Sequence, residues 1–245
     1  MEEKHTSKSG FPTLRYANLL LIIFLTGILF TIVTSCSTKK NGFTRRAYHN
    51  LTSHYNAYWN GNESFKEGVR EIEKNAKDNY TLVLPVYKYG NQQDAQAAYP
   101  NMDRAIEKAS KVIQRHSMYF DRKEWVKWID DSYMLIGKSY LYKKEYSSAR
   151  RTFDFVTNRF SKENSRFEAE LWLARTYQQN KEFAKSETVL DNFNSSLRSG
   201  KAPDYLEKEF VKVYANHFIL QQKYEPAVKY LQRAIELNSK KKVRN

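Results

Sequence analysis

Over most of its 245 residues this chain returns to an apolar side chain every three or four positions, the period of a helix with one buried face. Ile106, Ala109, Val112 and Ile113 share one such face, and Phe65, Gly68, Val69 and Ile72 share another. Two stretches break the period. Leu19 to Ile32 reads LLLIIFLTGILFTI, a nearly continuous apolar run. Tyr80 to Pro100 contains TLVLPVYKYG, which has strand-like character, but Pro85 removes a ladder donor and argues against a central strand. That stretch reads as an ordered loop, at about 80–100, packed on the helices. Only 8 glycines and 5 prolines are present, and so few breakers favour helix over sheet. The expected fold class is all-α.

The second half repeats itself. Tyr133 is followed by Ile136-Gly137, Tyr140, Tyr146, Ala149 and Phe153. Leu173-Ala174 and Tyr177 are followed by Phe183, Ser186 and Leu190; Tyr214-Ala215 and Phe218 are followed by Tyr224, Ala227, Leu231 and Ala234. In every copy the two small residues lie 12 apart and the two aromatics six apart. The first copy closely resembles the tetratricopeptide signature. Small residues let two antiparallel helices approach closely, and the aromatics fill the gap toward the next pair. One pair cannot bury its apolar stripe alone, so pairs stack into an α-solenoid. The copies are spaced by 37 and 41 residues, so helices or connections must be extended beyond the usual period of about 34. Asn194-Ser195-Ser196 and Ser199-Gly200 read as one longer connection. Three such repeats fill 123–239, followed by a basic tail at 240–245, Lys240-Lys241-Lys242-Val243-Arg244 within it. If no polar capping helix follows, the last pair is expected to expose Tyr230, Leu231, Ala234 and Leu237.

Residues 43–122 form a more divergent helical region. Phe43 to Trp59 reads as an aromatic-rich helix. Asn60-Gly61-Asn62 is expected to break it, with Asn62 or Ser64 capping the next helix. Asn101 or Asp103 is expected to start another, and a long helix is expected from about Lys123 to Tyr142.

The apolar run near the N-terminus carries its own information. Lys4, Lys8 and Arg15 precede it, and Val33-Thr34-Ser35-Cys36 closes it, which is the layout of a secretory signal. Branched Val33 three before the single cysteine, and small Ser35 just before it, resemble the bacterial lipobox. That resemblance implies cleavage before Cys36 and diacylation of its sulfur. Residues 1–35 are then a lipoprotein signal peptide, and 36–42 a lipidated tether. The alternatives are ordinary secretion or a spanning anchor. The core of the run is about 14 residues, short of the roughly 20 a spanning helix needs, although Tyr16 to Ser35 barely reaches that length.

Composition adds two constraints. With one cysteine no intramolecular disulfide forms, so stability rests on apolar packing. The net charge is +14, which suits anionic lipid heads, acidic proteins or nucleic acid. An exported lipoprotein does not ordinarily meet nucleic acid, which leaves the other two and solvated helix faces. Candidate chemistry is sparse. The histidines are His5, His49, His54, His116 and His217, and His49 and His54 are five apart, off one helical face. HExxH, CxxC, Gly-rich phosphate loops and GxSxG are absent. Asp130-Asp131 at a helix start suits the helix dipole better than a metal. Tyr55, Tyr58, Trp59, Trp125, Trp128 and Trp172 have the rings to stack on sugars, but repeat core is the plainer reading. No catalytic residues, metal ligands, cofactors or small-molecule substrate are expected.

Longer strings point further. CSTKKNGFTRRAYHNLTSHYNAYWNGNESFKEG from Cys36, LPVYKYG from Leu84, YPNMDRAIEKASKVIQRHSM from Tyr99 and WIDDSYMLIGKSYLYKKEYSSA from Trp128 resemble the N-terminal region of the SprE/PorW lipoproteins. That family belongs to the type IX secretion and gliding-motility machinery of Bacteroidota. The resemblance implies an outer-membrane lipoprotein facing the periplasm, joining outer- and inner-membrane subcomplexes through protein contacts with ring or motor components. Lys39 and Lys40, rather than acidic residues, follow the cysteine, which favours periplasmic facing. Members are usually several times longer, so surfaces on further repeats do not carry over. Two rival readings are a glycan-binding lipoprotein similar to the SusD type and an outer-membrane assembly lipoprotein resembling BamD.

Overall fold

A computed structural model describes residues 21–24, 26, 38 and 40–242. The segment expected to be a signal peptide and the cysteine after it, including Val33, Thr34, Ser35 and Cys36, lie outside them apart from residues 21–24 and 26. Among the described residues, no helix is long and apolar enough to cross a membrane.

The described residues are all-α apart from one hairpin of two-residue strands. In chain order the helices are α1 (Phe43–Thr52), α2 (Trp59–Asn75), α3 (Gln92–Ala97), α4 (Tyr99–His116), α5 (Trp128–Tyr142), α6 (Tyr146–Arg159), α7 (Ser165–Gln179), α8 (Phe183–Arg198), α9 (Glu207–Leu220) and α10 (Tyr224–Lys242). A π-helical stretch, Ser53–Tyr58, joins α1 to α2. Strands β1 (Tyr119–Phe120) and β2 (Lys123–Glu124) pair antiparallel.

Five expectations about boundaries fail, each for a local reason. Asn60-Gly61-Asn62 does not interrupt the helix. A Cβ on Gly61 would lie 3.0 Å from Lys108 Cβ, so this glycine admits a neighbouring helix rather than ending its own. The loop stops at Asn91, not near residue 100, because Asn91 caps α3 in a reciprocal capping box with Asp94. The following helix starts at Tyr99, with Pro100 in its first turn, where the missing N–H costs nothing. The helix expected from Lys123 begins only at Trp128. The Glu124 carboxylate accepts from the backbone N–H groups of Met118, Trp125 and Val126 and holds this stretch as hairpin and turn. Asn194-Ser195-Ser196 is helical, inside α8, which at 16 residues is two longer than the 14 of α6, so the longer connection begins only at Ser199.

From α5 onward three helix pairs share one turn. In α5–α6, Lys144 N–H donates to Leu141 and Glu145 N–H to Tyr140; in α7–α8, Lys181 donates to Gln178 and Glu182 to Tyr177; in α9–α10, Gln222 donates to Ile219 and Lys223 to Phe218. These are paired Schellman bonds, which satisfy carbonyls at a helix end. Lys144, Lys181 and Gln222 accordingly hold φ near +60°. Each six-residue step between aromatics, Tyr140 to Tyr146 for example, spans one such turn. Consecutive helices pack from α4 to α10, and the first helices α5, α7 and α9 also touch in sequence.

The core follows that order. One apolar cluster joins Met102, Val112, Ile129, Phe153 and Val156 with Ile72; a second joins Phe167, Leu190, Phe193, Phe210 and Tyr214. Burying a side chain such as Phe153 contributes roughly 2–3 kcal/mol. At the far end Tyr230, Leu237 and Ala234 pack inward on the second cluster, and Leu231 is half-buried. The side chains left open there are Tyr224, Val228 and Ile235, the last 69% exposed. The expected open face was thus in the wrong phase: 227, 230, 234 and 237 form the stripe that faces inward.

Candidate functional site

The repeat-signature residues lie where helices meet. Ala149, Phe153, Ala174, Ser186, Leu190 and Ala215 are fully buried, and Ile136, Gly137, Leu173, Tyr214, Ala227 and Ala234 nearly so. Tyr133, Tyr140, Tyr146, Tyr177, Phe183, Phe218 and Leu231 are half-buried, while Tyr224 is exposed. A Cβ on Gly137 would sit 2.6 Å from Phe153 Cε1, so α5 and α6 are in ring-to-backbone contact there.

The titratable candidates are scattered. His49 and His116 face each other, Nδ1 to Nδ1 at 3.0 Å, and burial holds both below the usual imidazole value. His54 stacks on Trp128 with centroids 3.8 Å apart. His217 is buried against Gln221. Among the described residues no group of three or more His, Cys, Asp or Glu is placed to hold a metal. Asp130 and Asp131 fall in the first turn of α5, where the helix dipole favours them. Burial, then the neighbouring Asp130, raises the Asp131 carboxyl to about 6.

The tryptophans proposed for sugar stacking mostly have a face occupied. Arg46 and Lys123 lie over Trp125, and Arg175 and Lys138 lie over Trp172. Tyr55 and Trp59 are exposed; Tyr58 tilts against Trp128.

The most developed polar assembly was not among the sequence candidates. The segment from 84 to 90 crosses the first helices as a strap. Val86 N–H donates to Asn216 Oδ1 on α9 at 3.0 Å. Asn216 Nδ2 donates to Gln178 Oε1 on α7 at 2.8 Å, and Gln178 Nε2 donates to the Val213 carbonyl at 3.1 Å. Tyr87 OH donates to Glu209 Oε1 at 2.8 Å. Arg175 Nε donates to Tyr89 OH at 2.7 Å, and its Nη1 reaches Glu209 at 3.4 Å. The Arg175 guanidinium carbon lies 3.8 Å from the Tyr87 ring centroid and 3.6 Å from that of Trp172. Gly90, at φ +63°, ends the strap, and Lys144 Nζ donates to its carbonyl at 2.9 Å.

Charge is balanced inside this assembly. Burial works against the Arg175 charge, but its polar neighbours Tyr89, Tyr87, Tyr142 and Glu209 outweigh it and the guanidinium sits above its ordinary value. Burial pushes Tyr87 and Tyr89 well above the usual phenol range, so both stay neutral. Burial also works against the Glu209 carboxylate, but its bond to Lys212 and the charge of Arg175 outweigh it and leave the group ionised. Lys138 lies close by and is pushed down by burial, against the pull of Glu168 and Asp131. The assembly clamps an extended peptide segment by hydroxyl, guanidinium and carboxylate groups. Only the loop itself was legible beforehand, as a segment packed on helices. A buried arginine within LWLARTY reads like any helix-surface charge.

No family model matches the chain, and no curated protein matches it.

Proposed function

We propose that this protein is a non-enzymatic, lipid-anchored scaffold of the type IX protein secretion machinery, serving gliding motility where present. Its helix pairs form a tetratricopeptide-like α-solenoid that binds other secretion components. Cys36 carries the anchor in the outer membrane, with the helices facing the periplasm. Two or three acyl chains on one residue hold a protein stably, unlike a single chain. The partners are periplasmic ring or inner-membrane motor proteins. The observation that carries the reading is the threefold recurrence of one Schellman turn between helices whose contact positions are small, Gly137, Ala174 and Ala215. Stacked pairs of that kind present extended binding surfaces. The resemblance carried by the long strings between Cys36 and Ala149 supports the choice of family.

The test is affinity capture of the detergent-extracted protein from its native host, with Cys36→Ala alongside. Recovery of ring or motor components, reduced in the Cys36→Ala sample, is the expected outcome. Recovery of a polysaccharide-uptake transporter or of β-barrel assembly proteins would overturn the assignment in favour of the glycan-binding or assembly-factor class.

A further inference from the structure

We propose that the face of α5, α7 and α9 under the strap is a binding site for an extended partner segment carrying two tyrosines two residues apart, and that residues 86–90 occupy it in cis until such a segment displaces them. The proposal rests on the scaffold reading and names the chemistry of the partner.

The strap makes the contacts that a bound peptide makes. Its backbone gives one N–H to Asn216, and its specificity comes from two phenol groups, Tyr87 to Glu209 and Tyr89 to Arg175. These receptors come from helices 86 to 130 residues further along the chain, on two different helix pairs. Asn216 and Gln178 are buried side chains already joined to each other, so the acceptor for the strap is fixed in place by the helices.

The strap is clamped only over 86–90. Upstream, Tyr80 is 83% and Leu82 67% exposed, and Val83 and Leu84 are also exposed. A cavity of about 670 Å³ lies between the segment, the end of α2, Gln179 and Leu220. A loop with few buried apolar contacts opens locally at a free energy well below that of the helices. The stretch leading into the strap is therefore loose, whereas Tyr87 packs on both core clusters and Tyr89 is buried in the first, so release of 86–90 needs a competing segment that replaces those contacts. A segment in trans with the same Tyr-x-Tyr spacing satisfies the same buried guanidinium and half-buried carboxylate, whereas one lacking the hydroxyls leaves the buried Arg175 Nε without its acceptor, which is how buried polar groups discriminate.

The experiment uses the full chain in detergent micelles and a fluorescein-labelled peptide of sequence VLPVYKYGN, that of residues 83–91. Anisotropy titrations compare the wild type with Tyr87→Ala and with Tyr87→Ala/Tyr89→Ala. Removing the cis competitor should tighten the apparent affinity by about tenfold or more, and a peptide with serine for both tyrosines should bind neither variant. A variant that keeps its helical circular dichroism yet binds no better than wild type overturns the proposal, as does equal binding of the serine peptide. Hydrogen exchange on the wild type keeps the test open if both variants misfold. The Val86 amide should exchange by local opening faster than the amides within α7, and faster again when unlabelled peptide is added. Exchange of Val86 only together with α7 would show that the strap does not release. These outcomes are independent of which proteins are captured from the host, so the site and the cellular role fail separately.

Discussion

Gly137 and Phe153 illustrate how a single spacing encodes a contact. Replacing Gly137 with alanine puts a methyl 2.6 Å from the Phe153 ring; the resulting overpacking should cost about 1–3 kcal/mol, read as a lower urea midpoint with unchanged slope. Asp131 offers a test by pH. Its folded value of about 6 lies above the ordinary 3.8, so the folded state holds the proton more tightly. Its contribution is fully favourable below 3.8 and is lost as pH rises through 6. Asp131→Asn should therefore add about 1–3 kcal/mol near neutral pH and little near pH 4, less the small helix-dipole term it forgoes. An equal gain at both pH values would assign the effect to something other than the carboxylate. Gly137 was legible because a repeated step of 12 residues separates it from Ala149. Arg175 was not, because what buries it is a strap from a distant part of the chain, and no local pattern signals that contact.

At the scale of elements, the recurring turn explains why three copies align so well. The left-handed position in each turn is held by Lys144, Lys181 or Gln222, none of them suited to φ near +60°. Lys181→Gly and Gln222→Gly should each stabilise the protein by about 0.5–1 kcal/mol, the relief of left-handed strain exceeding the entropy cost of glycine; a scanning calorimeter would register a higher Tm for each. Lys144 is a poor choice for this change, since its ammonium holds the Gly90 carbonyl. The identity of the helices was clear from periodicity, but their ends were not. Asn60-Gly61-Asn62 carries turn residues that tertiary contact converts to helix, and the short α3 rests on an Asn91–Asp94 capping box hidden inside a stretch read as loop.

Across the whole molecule, the terminal helix α10 tests which face is interior. Tyr230 lies 4.5 Å from Tyr214, ring centroid to centroid, in a stacked pair, whereas Ile235 points outward. Tyr230→Glu should destabilise the last pair by about 2–4 kcal/mol, while Ile235→Glu should stay within about 0.5 kcal/mol of wild type. The same loss in both variants would mean that α10 is rotated from the position described. The strap has a consequence of another kind. A stack of helix pairs in which each touches only its neighbours behaves as a one-dimensional chain, free to fray from either end. The bonds from Val86 to Asn216 and from Tyr89 to Arg175 add a coupling that bypasses the intervening pairs. With that clip closed the array should melt in a single calorimetric transition; with it open, the same helices should come apart as separate steps, starting from α9 and α10.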